Sequence, residues 1–98
     1  MMNTDLITEA KVWVKRKNGH GEIIRVMLAT DIVGKVTGYN LYTAFDKNPD
    51  YLGRILFDTK GYWIYDGSVL SIVEQEQLAS FIIDYIKKRV SAISNKLS

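Results

Sequence analysis

The sequence has 98 residues, of which 47% are hydrophobic, 24% charged and 11% aromatic, and its formal net charge is +2. This length allows one domain, and the high apolar and aromatic fractions exclude an intrinsically disordered chain. The absence of cysteine excludes disulfides, thiolate catalysis and cysteine-ligated zinc. So small a charge excess is weak evidence for a dedicated binder of duplex DNA, because phosphate contacts dominate the affinity of such proteins.

The sequence contains no signal for a membrane or for secretion. No apolar run approaches the ~20 residues of a membrane-spanning helix. The first ten residues, MMNTDLITEA, have neither the basic start nor the apolar core of a signal peptide. We therefore expect no membrane partner and a cytoplasmic protein.

The first predicted element is a β-hairpin. Residues 9–17 (EAKVWVKRK) alternate apolar and polar side chains and are rich in β-formers, which predicts a strand. Residues 18–21 (NGHG) predict a tight turn in which asparagine and glycine adopt positive φ. Residues 22–30 (EIIRVMLAT) then predict the partner strand.

The middle of the chain predicts further strands. Residues 31–38 (DIVGKVTG) fit either a connection or the start of a bent strand, since Gly34 and Gly38 weaken a regular strand. Three more strand segments follow, separated by the turn sequences KNPD and TKG: residues 39–46, 51–58 and 62–65. Asp66–Gly67 is a strong two-residue hairpin signal, so a short sixth strand is expected over residues 68–70.

The last element is a helix. Ser71 lies three residues before Glu74, which is the capping-box spacing that begins a helix, and no proline or glycine follows. A run of strands followed by one helix predicts an α+β fold: an antiparallel meander of about five or six strands with one long C-terminal helix packed on one face. A single domain over residues 1–98 is expected, in three parts: an N-terminal segment (1–8), a sheet (9–70) and the helix (72–95).

The apolar arc of the predicted helix is roughly 200° wide, where a helix on one sheet needs about 100°. Its centre is a stripe of apolar residues: Leu78, Ala79, Ile82, Ile86, Val90, Ile93 and Leu97. Phe81 and Tyr85 extend the stripe to one side, and Arg89 projects near its middle. Either a curved sheet covers the surplus, or a second copy or partner protein packs there, since an exposed apolar patch usually marks an interface.

A second candidate surface begins on the first strand, where residues two apart share a face. Val12 and Val14 are expected to face the core. The opposite face combines a flat ring for base stacking with cations for phosphates, as single-stranded nucleic acid requires. This candidate nucleic-acid face comprises Lys11, Trp13, Lys15, Lys17, Arg25, Tyr42 and Arg54. Exposed lysines also protect sheet edges, and a tryptophan can anchor a protein partner.

No constellation of residues indicates catalysis. His20 is the single histidine, so a metal site would lack a second histidine or a cysteine, and neither a calcium-loop nor a phosphate-loop spacing is present. Four aspartates beside turns are expected to bond nearby backbone: Asp46, Asp50, Asp58 and Asp66. We expect no enzyme, no cofactor and no metal.

The sequence favours a non-enzymatic binding protein that acts through a protein partner or as a homodimer, such as an adaptor, inhibitor or accessory factor. Its candidate protein interface is the helix surface with Phe81, Tyr85 and Arg89, together with the aromatic surface. The chain has more tyrosine and tryptophan than one small core needs, and interfaces are enriched in both. The alternative is a single-stranded DNA- or RNA-binding protein that uses the basic and aromatic face. No residue pattern indicates a small-molecule pocket between sheet and helix.

Overall fold

Five strands pair with their neighbours in the chain, and one helix follows them. The computed structural model describes residues 8–45 and 47–97, with side chains described as far as Lys87. In this part of the chain the elements are β1 (Glu9–Lys15), β2 (Gly21–Leu28), β3 (Thr37–Thr43), β4 (Tyr51–Phe57), β5 (Trp63–Asp66) and α1 (Ile72–Leu97). The strands form one antiparallel sheet in the order β1-β2-β3-β4-β5. The predicted α+β meander is confirmed, and residues 29–36 are the connection between β2 and β3.

Alternation along the strands gives the sheet an inner face, on which α1 packs, and an outer face. Val12 and Val14 lie on the inner face as predicted. The buried side chains of the sheet are Val14, Ile24, Val26, Tyr39, Leu41, Leu52, Ile55 and Phe57, and α1 adds Leu78, Ala79 and Ile82. Full burial of one such side chain contributes about 1.5–3 kcal/mol, so this core is what holds the helix on the sheet.

The flanks of α1 pack on the same core, which accounts for much of its broad apolar arc. Three flank side chains are partly buried against the core, namely Phe81, Ile83 and Tyr85, as is Ile86 of the central stripe. The later part of the predicted stripe, from Val90 onward, lies outside the described side chains. No helix in the described part of the chain is long and apolar enough to cross a membrane.

The two hairpins β1–β2 and β4–β5 close through the same type of loop. In the first, the N–H of Arg16 donates to the carbonyl of His20 (2.8 Å) and the N–H of Gly19 donates to the carbonyl of Arg16 (2.9 Å). The second loop repeats both bonds over residues 58–62, at 3.0 and 3.2 Å. Gly19 and Gly61 have φ of 89° and 90°, the left-handed conformation that a three-residue hairpin loop needs at its last position.

The first loop differs from the predicted turn. Positive φ in the described chain is confined to glycines, so Asn18 does not adopt it. Its side-chain Oδ1 instead accepts the N–H of His20 (2.9 Å). Strand β1 ends at Lys15, and Lys17 belongs to the loop and not to the strand in which it was predicted.

A buried carboxylate joins the helix to the first hairpin. Glu74 is 0% exposed. Its Oε1 accepts the N–H of Ser71 (2.8 Å) while the Ser71 Oγ accepts the N–H of Glu74 (3.2 Å), which is the predicted capping box. Its Oε2 accepts the Nε–H of Arg16 and the backbone N–H of Lys17, both at 2.8 Å. Burial alone would raise the pKa of Glu74, but these hydrogen bonds and the Arg16 charge lower it to about 2.

The side-chain amide of Gln77 occupies the place of a further strand at the end of β1. The N–H of Lys15 donates to Gln77 Oε1 (2.9 Å), and Gln77 Nε2 donates to the carbonyl of Lys15 (2.8 Å). Because Arg16 directs its N–H towards His20 on the β2 side, alternation directs both backbone groups of Lys15 away from the sheet. Gln77 satisfies both of them.

The predicted hairpin at Asp66–Gly67 is wrong, and residues 68–70 form no strand. The hydroxyl of Tyr65 accepts the N–H groups of Val69 and Leu70, both at 3.2 Å, and itself donates to the carbonyl of Leu52. Successive N–H groups of a strand point to opposite sides, so two neighbouring N–H groups that converge on one oxygen do not belong to a strand. The chain after β5 therefore curls beneath β4 on the inner face, towards the start of α1.

The aspartates beside the turns behave in different ways. Asp58 Oδ1 accepts the N–H groups of Lys60 (2.9 Å) and Tyr62 (3.0 Å), as predicted for a turn aspartate. At Asp50 it is the backbone N–H that bonds, to Thr43 Oγ1 (2.9 Å). The Asp66 carboxylate forms an ion pair with Arg54 and bonds no nearby backbone group of the described chain. Asp46 lies outside the described residues.

Substitution Glu74→Gln should lower the free energy of unfolding at pH 7 by about 3 kcal/mol, because the pKa of this carboxyl falls from 4.5 to about 2 on folding. Since the folded-state pKa is the lower one, the stabilisation is present above about pH 5 and is lost as the pH falls towards 2. Urea unfolding across this acid range should therefore show a steeper loss of stability in the wild type than in the variant.

Glu76→Gln is the matched control, because Glu76 lies two residues away on the exposed side of α1. This change should alter the free energy of unfolding by less than about 0.5 kcal/mol. Equal destabilisation by the two substitutions would contradict the role assigned to the Glu74 carboxylate.

Candidate functional site

The register of the sheet brings outward side chains from different strands into rows on the outer face. In one row Lys11 lies opposite Arg25, Arg25 opposite Tyr42, and Tyr42 opposite Tyr51. The next row comprises Glu9, Met27, Asn40, Arg54 and Asp66. Because α1 packs on the inner face, these rows form the surface that the sheet presents away from the helix.

Trp13 is the largest side chain on the β1 side of the outer face, and it is 61% exposed. Its ring lies over Gly21, since a Cβ at that position would be 2.1 Å from Trp13 Nε1. Ile23 is its cross-strand neighbour. Phe45 is 75% exposed, and the Nζ of Lys11 lies 5.4 Å from its ring centroid. We refer to Lys11, Trp13, Ile23 and Phe45 as the Trp13 corner.

A β-bulge places a second aromatic pair on the outer face. The register shifts between Leu41 and Tyr42, and Gly53 adopts φ of 106° in the facing strand. Tyr51 and Arg54 are three residues apart, so a regular strand would put them on opposite faces. The bulge lets both face outwards, and the ring of Tyr51 lies 5.4 Å from that of Tyr42.

The arginines of the outer face already have carboxylate partners. Arg25 Nε lies 3.5 Å from Glu9 Oε2. Arg54 Nε lies 3.2 Å from Asp66 Oδ2, and its other side reaches Asp31 at 3.5 Å. The hydrogen bond to Asp66 and the two acidic charges raise the pKa of Arg54. The centre of the outer face therefore carries paired charges and not a concentrated positive potential.

The structure brings together every residue of the candidate nucleic-acid face except Lys17. Lys11, Trp13, Lys15, Arg25, Tyr42 and Arg54 all project from the outer face. Lys17 lies in the β1–β2 loop, where its backbone N–H bonds Glu74. No ion pair in the described chain involves Lys11 or Lys15.

The candidate protein interface on the helix is less exposed than its sequence pattern indicates. The rings of Phe81 and Tyr85 lie 6.0 Å apart and are both half-buried against the core. Arg89 belongs to α1, but its side chain lies outside those that the structure describes.

A second exposed apolar patch, which the sequence did not identify, lies around β5. Tyr62 is 73% exposed and Ile64 is 63% exposed. A shallow cleft of about 250 Å³ runs beside them, lined by Val36, Leu56, Phe57, Asp58, Tyr62, Trp63 and Ile64. Alternation over residues 62–65 predicts that one pair of these side chains faces inwards and the other outwards, but it does not indicate which pair is exposed. The pair Trp63 and Tyr65 faces inwards.

A wider groove of about 520 Å³ opens between α1 and the β4–β5 loop. Its floor is apolar, with Tyr39, Phe57, Ile83 and Ile86, and Lys60 and Lys87 lie at its rim. The sequence carried no signal for this groove, since it forms where a loop meets a helix distant in the chain.

Neither chemistry nor resemblance assigns the outer face a known role. Among the described residues, no group of three or more histidines, aspartates or glutamates could hold a metal ion. The chain matches no protein-family model, no curated protein and no solved structure. What the outer face can bind therefore follows from its own side chains.

Substitution Gly21→Ala should displace the Trp13 ring, because the new Cβ would lie 2.1 Å from Nε1. In a Trp63→Phe background, where Trp13 is the remaining tryptophan, acrylamide should quench the fluorescence of the variant more strongly. The unfolding free energy should fall by about 1 kcal/mol, as for other overpacked sites. Met27→Ala, on the same strand and face, should leave the quenching unchanged. Unchanged quenching in Gly21→Ala would contradict the contact between Trp13 and Gly21.

Proposed function

We propose that this chain is a non-enzymatic protein-binding module whose binding surface is the outer face of the sheet, centred on the Trp13 corner. The observation that carries this proposal is an exposed aromatic surface that surrounds arginines whose charges are already paired. The proposed place of action is the cytoplasm, since a chain without cysteine suits a reducing compartment.

The residue types on the outer face are those that protein interfaces favour. Tryptophan, tyrosine, methionine and arginine are enriched at interface centres, and lysine is depleted there. The outer face has the first four types at its centre and at one corner: Trp13, Met27, Tyr42, Tyr51, Arg25 and Arg54. Its unpaired lysines, Lys11 and Lys15, lie on the edge strand β1. Trp13, which is large and exposed, is the expected hot spot.

The ion pairs favour a protein partner over nucleic acid. Binding to single strands draws much of its affinity from cations that neutralise phosphates and release counterions. Arg25 and Arg54 would first have to give up Glu9, Asp66 and Asp31. In a protein interface the same pairs need no such exchange, because they can remain intact beneath the partner.

Photo-cross-linking in the organism that carries this sequence tests the proposal. Replacing Tyr51, which is 52% exposed, by p-benzoylphenylalanine keeps an aromatic ring beside the proposed site. A single cross-linked protein is expected, and Trp13→Ala should abolish the cross-link. With that partner purified, calorimetry should show that Trp13→Ala weakens binding by about thirtyfold, the effect of losing a hot spot worth about 2 kcal/mol.

The same photoreactive residue at Glu76, on the exposed side of α1, is the control and should yield no specific product. Identical products from positions 51 and 76, or a cross-link that persists in Trp13→Ala, would contradict a binding surface on the outer face.

Single-stranded nucleic acid is the second candidate ligand, because Lys11 and Lys15 flank the exposed Trp13 ring on the same face. Fluorescence anisotropy of a labelled single-stranded oligonucleotide, titrated with the protein at about 50 and 200 mM salt, distinguishes this ligand from a protein partner. The protein-binding proposal predicts no saturable signal at either salt. Tight binding that falls steeply with salt and is lost in Trp13→Ala would replace it with a nucleic-acid function.

A further inference from the structure

The two edges of the sheet end in the same loop type but differ in how their backbone is satisfied. At the β1 edge, the outward N–H and carbonyl of Lys15 both bond the Gln77 amide. At the β5 edge, Trp63 is likewise the edge-strand residue next to a hairpin loop, the one over residues 58–62. No hydrogen bond from the loops, turns or side chains of the described chain reaches the backbone of Trp63 or Tyr65.

The direction of these groups follows from the β4–β5 pairing. The N–H of Asp58 donates to the carbonyl of Tyr62, and Leu56 lies opposite Ile64. Because bonded and non-bonded pairs alternate in an antiparallel ladder, the backbone of Ile64 points to β4. The N–H and carbonyl groups of Trp63 and Tyr65 therefore point outwards from the sheet, as an open template for another strand.

The surroundings of β5 leave this template accessible. The chain after Asp66 curls beneath β4, where Gly67 lies against the Tyr65 ring and the Gly53 backbone. Ile64 and Tyr62 flank the edge and are 63% and 73% exposed. Strand β5 carries neither lysine nor proline, two residue types that usually prevent strand addition at a sheet edge.

We propose that β5 pairs antiparallel with β5 of a second copy of this chain, which joins the two sheets into one. With Ile64 opposite Ile64 of the second copy, Trp63 lies opposite Tyr65 in both directions. Each of these two pairs exchanges two backbone hydrogen bonds, and all the outward groups of Trp63 and Tyr65 are used. The two Ile64 side chains then meet at a closely spaced pair on the outer face.

A second copy fits this edge because the register is self-complementary, as a two-fold interface requires. In this register, large side chains face each other: Ile64 faces Ile64 of the second copy, and Trp63 faces Tyr65 of the second copy. The one charged residue of β5, Asp66, is paired with Arg54 (3.2 Å) and in this register lies opposite Tyr62 of the second copy, so no like charges meet across the axis. The β1 edge would instead bring Lys11 and Lys15 against lysines of the second copy, and Gln77 already occupies one of its ends.

Sedimentation equilibrium of the wild type should give twice the chain mass of 11.2 kDa at high protein concentration. Ile64→Lys should give the single-chain mass, since it places two like charges at the axis. Ile64 is 63% exposed, so the variant should keep its fold, which circular dichroism checks. Trp13→Ala should stay dimeric. The Ile64 variant therefore tests the dimer, and the Trp13 variant tests the protein-binding surface independently of it.

The register is tested by Ile64→Cys, which introduces the only cysteine of the chain. Facing residues at a closely spaced pair have Cα atoms about 4.5 Å apart, within disulfide range, so mild oxidation should yield a covalent dimer. Tyr62→Cys, which would face Asp66 of the second copy, should yield little. A single-chain mass at every concentration would overturn the proposal. A dimer that survives Ile64→Lys, or equal cross-linking of both cysteine variants, would also overturn it.

Discussion

The placement of the helix on the sheet depends on the carboxylate of Glu74, the one buried charged residue among the described side chains. One of its oxygens fixes the start of α1 through Ser71, and the other holds Arg16 and Lys17 in the loop of the first hairpin. A helix that follows five strands could cross the sheet at many angles and still bury its apolar side. The carboxylate selects one of them, because its two oxygens must meet donors from both elements. Alternation along the strands decides which face is buried, and the angle of the helix decides how α1 lies across that face.

The two faces of the sheet carry different kinds of side chain. The apolar contacts needed for stability lie on the inner face, so the aromatic side chains on the other side are not required by the core. Trp13 lies over Gly21, where the strand offers no side chain of its own, and so keeps a defined position while more than half exposed. Ion pairs such as Arg25 with Glu9 fix the polar neighbours in the same way. A surface ordered before it meets a partner loses little conformational entropy on binding.

The sequence predicts what depends on local spacing. The Ser71–Glu74 separation located the start of the helix, and alternation placed Val12 and Val14 inside. The errors arise where a distant contact overrides a local signal. Asp66–Gly67 has the composition of a hairpin, but the Tyr65 hydroxyl captures the backbone donors that follow. The bulge at Gly53 turns Tyr51 outwards, and a lone glycine in a strand does not specify such a shift. The cleft and groove involve residues far apart in the chain, which no window of sequence reveals.

The Gln77 amide has a consequence for how many copies can join. A sheet with two open edges can add copies at both and grow into a filament of unlimited length, as amyloid does. At Lys15 the amide fills the position where the next strand would begin, so growth from β1 would have to displace it. In the proposed pair, the β5 edge of each copy is used by the other copy. The proposed β5 pairing, together with the Gln77 amide at one end of the β1 edge, therefore favours a pair of chains over a polymer.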